Sequence, residues 1–101
     1  MAVHEFKSKY LHGGADDEMD IFPSQELKIQ ATGSGSYQMF GKMRGSGAAK
    51  PLVLINTGTL EISNTASGND IYACDVSGLQ SVYADNLNGV TSVYVRAIST
   101  T

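Results

Sequence analysis

One cysteine, two histidines and a run of carboxylates are the residues of this chain whose side chains serve catalysis or metal binding. A thiol becomes a nucleophile when a neighbouring base or cation holds it as thiolate. Cys74 stands between Ala73 and Asp75 in NDIYACDV, in phase with Tyr72 and Val76, which is the pattern of a small buried core residue. His4 and His12 lie far from it along the chain, on either side of Lys7 and Lys9. Exposed imidazoles of this kind could at most tune a contact with pH. One Cys and two His cannot supply the four ligands of a structural zinc site, and an intramolecular disulfide needs a second cysteine.

The acidic cluster Asp16, Asp17, Glu18 and Asp20 raises the question of calcium, but it lacks the alternating oxygen ligands, central glycine and terminal Glu of an EF-hand loop. A solvated acidic loop is the expectation. Gly33-Ser34-Gly35-Ser36 and Gly45-Ser46-Gly47 lack the Gly-Lys-Ser/Thr ending of a phosphate-binding loop and read as hairpin turns or mobile tips. No Gly-x-Ser-x-Gly elbow is present. These residues assemble no acid–base, nucleophilic or metal chemistry, so the expectation is a non-catalytic protein with no cofactor and no metal.

The elements that would carry any site are strands. A chain of 101 residues is one domain. Its 11 glycines, its many Ser, Thr and Asn and its 17% charged content are the composition of turn-rich β structure. A net charge of −3 and a pI near 5.1 argue against sequence-independent binding to nucleic acid. No run of 18 apolar residues suggests a membrane span, and MAVHEFKSKYLHGG lacks a signal peptide's apolar region, so synthesis and residence in a cytoplasm are expected.

The texture changes at Pro23. Residues 1–23 are polar and mixed in charge, interrupted by Gly13-Gly14, and read as an extended arm; a first strand followed by a loop is the alternative. Residues 24–101 alternate apolar and polar positions between turn signals. Inward candidates are Leu27, Ile29 and Ala31; then Tyr37, Met39, Gly41 and Met43; then Val53 and Ile55, or Leu52 and Leu54; then Tyr72, Cys74 and Val76. About seven strands result, which fits an antiparallel β-sandwich of jelly-roll or Ig-like Greek-key type or a partly closed barrel.

Asn88-Gly89 is the preferred dipeptide of a two-residue type I′ turn. A hairpin closed there would pair Leu87 with Val90 and Tyr83 with Tyr94. Val82, Ala84, Val93, Val95 and Ala97 would then face the core, leaving Tyr83, Tyr94, Leu87 and Val90 on the other face. Opposed tyrosines stabilise such a hairpin by roughly 0.2–1 kcal/mol. They also suit a partner-contact face, since tyrosine serves where one side of a group is dry and the other can hydrogen-bond.

From Leu27 onward the chain resembles small β-sandwich proteins found among the minor virion components of tailed bacteriophages, of the head-decoration, auxiliary or head-fibre type. The resemblance rests on ELKIQATGSGSYQMFGKM, on Ile71-Tyr72-Ala73-Cys74-Asp75-Val76-Ser77-Gly78-Leu79 and on the closing Val93-Tyr94-Val95-Arg96-Ala97-Ile98. It implies a virion structural protein made in the host cytoplasm, bound to the major capsid protein or another virion protein. It also implies a homo-oligomer, a trimer if it stands on three-fold sites. On this reading the arm docks through Phe6, Tyr10, Leu11, Ile21 and Phe22. A carbohydrate- or receptor-binding module of a tail or fibre, using Tyr83, Tyr94 or Phe40, is the second reading. An enzyme would require Cys74 or a histidine in a cleft beside a partner group.

Overall fold

The computed structural model describes residues 4–43, 45 and 47–100. Its strands are β1 (His4–Leu11), β2 (Met19–Asp20), β3 (Glu26–Met43), β4 (Ala49–Pro51), β5 (Leu54–Asn56), β6 (Ile62–Ser63), β7 (Ala66–Ser67), β8 (Ile71–Asp75) and β9 (Leu79–Thr100). The described residues contain no helix. Every strand pair is antiparallel, and all nine strands join one open sheet in the order β1-β9-β3-β8-β5-β6. β2 pairs with β9, and β4 and β7 pair with β3.

Two strands dominate. β3 has 18 residues and β9 has 22, so at ~3.3 Å per residue they would span about 59 and 73 Å if straight. The longest extent of the whole molecule is 39 Å. Both strands must therefore fold over, and the place is marked by register shifts between Thr32 and Gln38 of β3. Bulges and glycines are how a continuous sheet acquires such a bend.

The inner side of the bend has no room for side chains. Odd positions of β3 face inward at Leu27, Ile29, Tyr37 and Met39, with Ala31 packed on the core, and the odd positions at the bend itself are Gly33 and Gly35, set close against the β9 backbone. A Cβ on Gly33 would lie 2.3 Å from the Gly89 carbonyl oxygen, and one on Gly35 would lie 1.6 Å from that of Asn88. Gly33 (φ +119°) and Gly89 (φ +75°) also hold backbone conformations that side chains disfavour. On β9 the buried apolar positions are even at Val82, Ala84 and Val90 and odd at Val93, Val95 and Ala97. The change of phase falls close to the bend, where Asn86 has φ +55°. Both halves of the sheet thereby turn the same face into one core, with Leu54, Tyr72, Cys74 and Val76 completing it.

Several expectations change. Instead of the two sheets and about seven strands of a jelly-roll or Ig-like sandwich, the nine strands among the described residues hydrogen-bond into a single folded sheet. The stretches read as two hairpins are the two long bent strands: Gly33–Ser36 lies within β3, and Asn88-Gly89 lies within β9, where Asn88 pairs with Ser36 and Val90 with Gly33. A type I′ hairpin and a bulged strand both switch the phase of alternation, so the inward set Val82, Ala84, Val93, Val95 and Ala97 is the same in either. The other glycine-rich stretch is a connection, with Gly45 at φ +85° between β3 and β4.

The N-terminal segment is part of the sheet. β1 pairs with β9 from His4↔Thr100 to Leu11↔Val93. Leu11, Met19 and Ile21 are buried in the common core. The first strand plus loop, and not a free arm, describes residues 4–23.

Candidate interaction faces

The groups with catalytic potential are individually engaged. The Cys74 thiol is buried, and its Sγ donates to the Asp75 carbonyl at 3.6 Å. Burial, with a smaller push from the Asp75 charge, raises its pKa to about 11, so at neutral pH it is a packed thiol. His12 is exposed beside Asp17, with Nδ1 3.6 Å from the carboxylate. The side chains of His4 and Phe6 lie outside the described residues.

The acidic loop works as a clasp. Asp17 accepts the His12 backbone N–H at 2.6 Å and pairs with Lys9 at 3.0 Å. Glu18 pairs with Lys42 at 2.5 Å and accepts the Ser81 hydroxyl at 3.0 Å. Asp20 accepts from the Gln80 side-chain amide at 2.8 Å. The carboxylates thus point to different partners on β1, β3 and β9 and do not converge on one centre. Among the described residues no group of three or more His, Cys, Asp or Glu could hold a metal ion.

What remains is surface, and cross-strand register builds it. On the half containing β1, one outward row runs Tyr10, Tyr94, Gln30, Ile71, and the next runs Ser8, Arg96, Lys28, Ala73, Ile55, Ile62. The Tyr10 and Tyr94 rings lie 4.7 Å apart at 45°. Two shallow grooves open on this face, one of about 240 Å³ between Lys28, Gln30, Ile71, Tyr94 and Arg96, the other of about 520 Å³ around Glu26, Ile55, Asp75 and Ile98. On the other half the outward row is Tyr83, Phe40, Pro51. Tyr83 and Phe40 stack in near-parallel planes, 5.3 Å apart at 11°, with the Glu18–Lys42–Ser81 network alongside.

The expected contact residues are therefore dispersed. Tyr83 and Tyr94 do not pair with each other; Tyr83 stacks on Phe40 and Tyr94 packs at a tilt against Tyr10, on opposite exteriors of the folded sheet. Val90 is buried, and Leu87 is half-buried against the core. Of the N-terminal anchors, Leu11 and Ile21 belong to the core, while Tyr10 and Phe22 are exposed. The exposure of Val53 and Ile55 resolves the phase of PLVLIN, since Leu54 is buried and Leu52 packs on the core. Ile71 falls in the outward phase that Tyr72, Cys74 and Val76 set, whereas the outward Ile62 gave no signal in the sequence, because an isoleucine in a strand reads as core by default.

The folded sheet has solved counterparts. SPBc2 prophage-derived protein YomS superposes with a TM-score of 0.77 at 18% identity, covering 96% of each chain. PBSX exported protein XepA superposes with a TM-score of 0.80 at 17% identity, covering 95% of this chain and 38% of XepA. The likeness is one of fold, and YomS is a prophage-derived protein. No protein-family model and no curated protein matches the sequence.

Proposed function

We propose that this chain is a non-catalytic structural protein of a tailed phage or prophage, a capsid decoration or auxiliary protein that attaches to the head surface and reinforces it. The observation that carries the reading is the shared fold with a prophage protein over 96% of both chains. A fold by itself hosts many functions. The surface adds that the chain presents stacked aromatic rings and exposed aliphatics, which are features of protein contact. The Tyr83–Phe40–Pro51 row is the attachment surface in this reading, with the major capsid protein or another virion protein as partner. Many copies on equivalent lattice positions would gain hold through avidity without any one strong contact.

The test is quantitative mass spectrometry of density-banded particles, combined with co-sedimentation of the purified chain with isolated heads and isolated tails. The chain is expected in banded particles and in the head pellet, and Phe40→Ala with Tyr83→Ala should release it. Absence from particles and from both pellets would overturn the reading. The carbohydrate- or receptor-binding alternative is supported by the same outward ring stack, and a glycan array decides it.

A further inference from the structure

The inward side of the sheet changes character toward the β6 edge. One inward row runs Val95, Ile29, Tyr72 and Asn56, and the Asn56 N–H donates to the Glu61 carbonyl at 2.9 Å, so the apolar core grades into an amide and then a carboxylate. There the interior opens as a groove of about 330 Å³, at the lower end of the ~300–1,000 Å³ usual for small-molecule sites. Asn56 and Tyr72, 9 and 5% exposed, form its floor. Asp70 is half-buried in its wall, and Glu61, Ser63 and Thr65 stand exposed at its rim.

The groove holds two carboxylates and no basic side chain. Among the described residues neither Glu61 nor Asp70 joins an ion pair. The hydroxyls beside them already accept: Thr59 Oγ1 takes the Glu61 N–H at 3.3 Å, Ser63 Oγ the Thr65 N–H at 3.1 Å, and the Tyr72 hydroxyl the Ser67 N–H at 2.8 Å. Each keeps a proton to donate. Behind Tyr72, Tyr37 is fully buried, meets the Tyr72 ring edge-on at 6.4 Å, and has a hydroxyl with no partner. Buried polar groups are nearly always hydrogen-bonded. Burial, then the charges of Tyr72 and Asp70, push the pKa of this phenol up, so the unmet hydrogen bond belongs to the inner wall of the same groove. We infer that the groove binds a neutral pyranose sugar, whose hydroxyls donate to the Glu61 and Asp70 carboxylates and accept from the hydroxyls of Thr59, Ser63 and Tyr72. A sugar hydroxyl both donates and accepts, which matches acceptors and donors set side by side. A bare cation would use the acceptors alone, and an acidic sugar would meet two like charges.

This site lies on the inward side of the sheet, separate from the outward Tyr83–Phe40–Pro51 row, and stands or falls apart from the virion reading. The test is titration of the isotope-labelled chain with glucose, galactose, mannose and N-acetylglucosamine, from micromolar to millimolar concentration, followed by amide NMR shifts. At least one of the four is expected to move the amides of Asn56, Glu61, Thr65 and Asp70, and glucuronic acid to bind more weakly than glucose. Glu61→Gln and Asp70→Asn each remove a charged acceptor and should weaken binding on the order of tenfold. No shift with any of the four sugars, variants that bind like the parent, or glucuronic acid binding as well as glucose would each overturn the inference. Calcium chloride alone producing the same shifts would reassign the groove to a cation and also overturn it. Shifts confined to the surroundings of Phe40 and Tyr83 would overturn it as well, while leaving the carbohydrate-binding alternative on the outward ring stack.

Discussion

A Gly35→Ala substitution adds one methyl group at the inner corner of β3, 1.6 Å from the Asn88 carbonyl oxygen and 2.8 Å from the Gly89 Cα. Ordinary contact begins at 3.4 Å, so β3 and β9 would have to part by about 2 Å, because the obstacle is backbone that no rotamer change can move. Parting the strands also strains the 2.7 Å bond from the Gly68 N–H to the Gly35 carbonyl on the other side. Overpacking typically costs ~1–3 kcal/mol and more where nothing yields, so a loss of about 3 kcal/mol is expected. For a domain of this size that lowers Tm on the order of 15 °C. The assay is urea denaturation followed by far-UV circular dichroism. Gly47→Ala serves as the control: its methyl meets nothing within 4 Å, and its stability should stay within about 0.5 kcal/mol of the parent. A Gly35→Ala protein equally close to the parent would refute the crossing and return Gly33–Ser36 to the solvent turn that its composition suggests.

Three further outcomes follow from the same geometry. In double-mutant cycles, Tyr10→Ala with Tyr94→Ala should show a coupling of about 0.5 kcal/mol or more, whereas Tyr83→Ala with Tyr94→Ala should add to within ~0.5 kcal/mol; the reverse result would restore the hairpin pairing. Leu11→Ala should destabilise by about 2–5 kcal/mol in the same urea titration, and a change below ~0.5 kcal/mol would mean that the N-terminal strand is not docked. Stability should also fall with acid. The bonds from Lys42, then Ser81, hold Glu18 below its usual range, and the His12 backbone N–H, then Lys9, does the same for Asp17. A lowered folded pKa gives stabilisation that is complete above the unfolded carboxylate value near ~4 and is lost as pH falls through the folded one. The urea midpoint should therefore drop below pH ~4, by less in Glu18→Gln, and an equal drop in that variant would exclude the Glu18 clasp.

The fold class and most of the core were legible in alternation, and the functional faces only in part. Phe40 could be read as an outward ring because Tyr37 and Met39 take the inward phase of its strand. Tyr83 and Tyr94 were likewise placed outside correctly, yet their partners were not, because pairing across a sheet depends on register with strands far away in the chain. Asn56, Glu61, Asp70 and Tyr72 carry no signal one by one. They line one groove only once β5 lies between β6 and β8.

The sequence by itself determined strand character, the inward set Leu27, Ile29, Tyr37, Met39, Val82, Ala84, Val93, Val95 and Ala97, and a phase change between Ala84 and Val93. Period-two alternation carries that information locally, residue by residue. Tertiary structure alone decided that the phase change is a fold in a continuous strand, with Gly33 and Gly35 at its inner corner, and that residues 4–11 complete the sheet. The physical reason is that a turn and a bulge impose the same local pattern. What separates them is whether a backbone elsewhere in the chain, here that of Asn88 and Gly89, occupies the space a side chain would need.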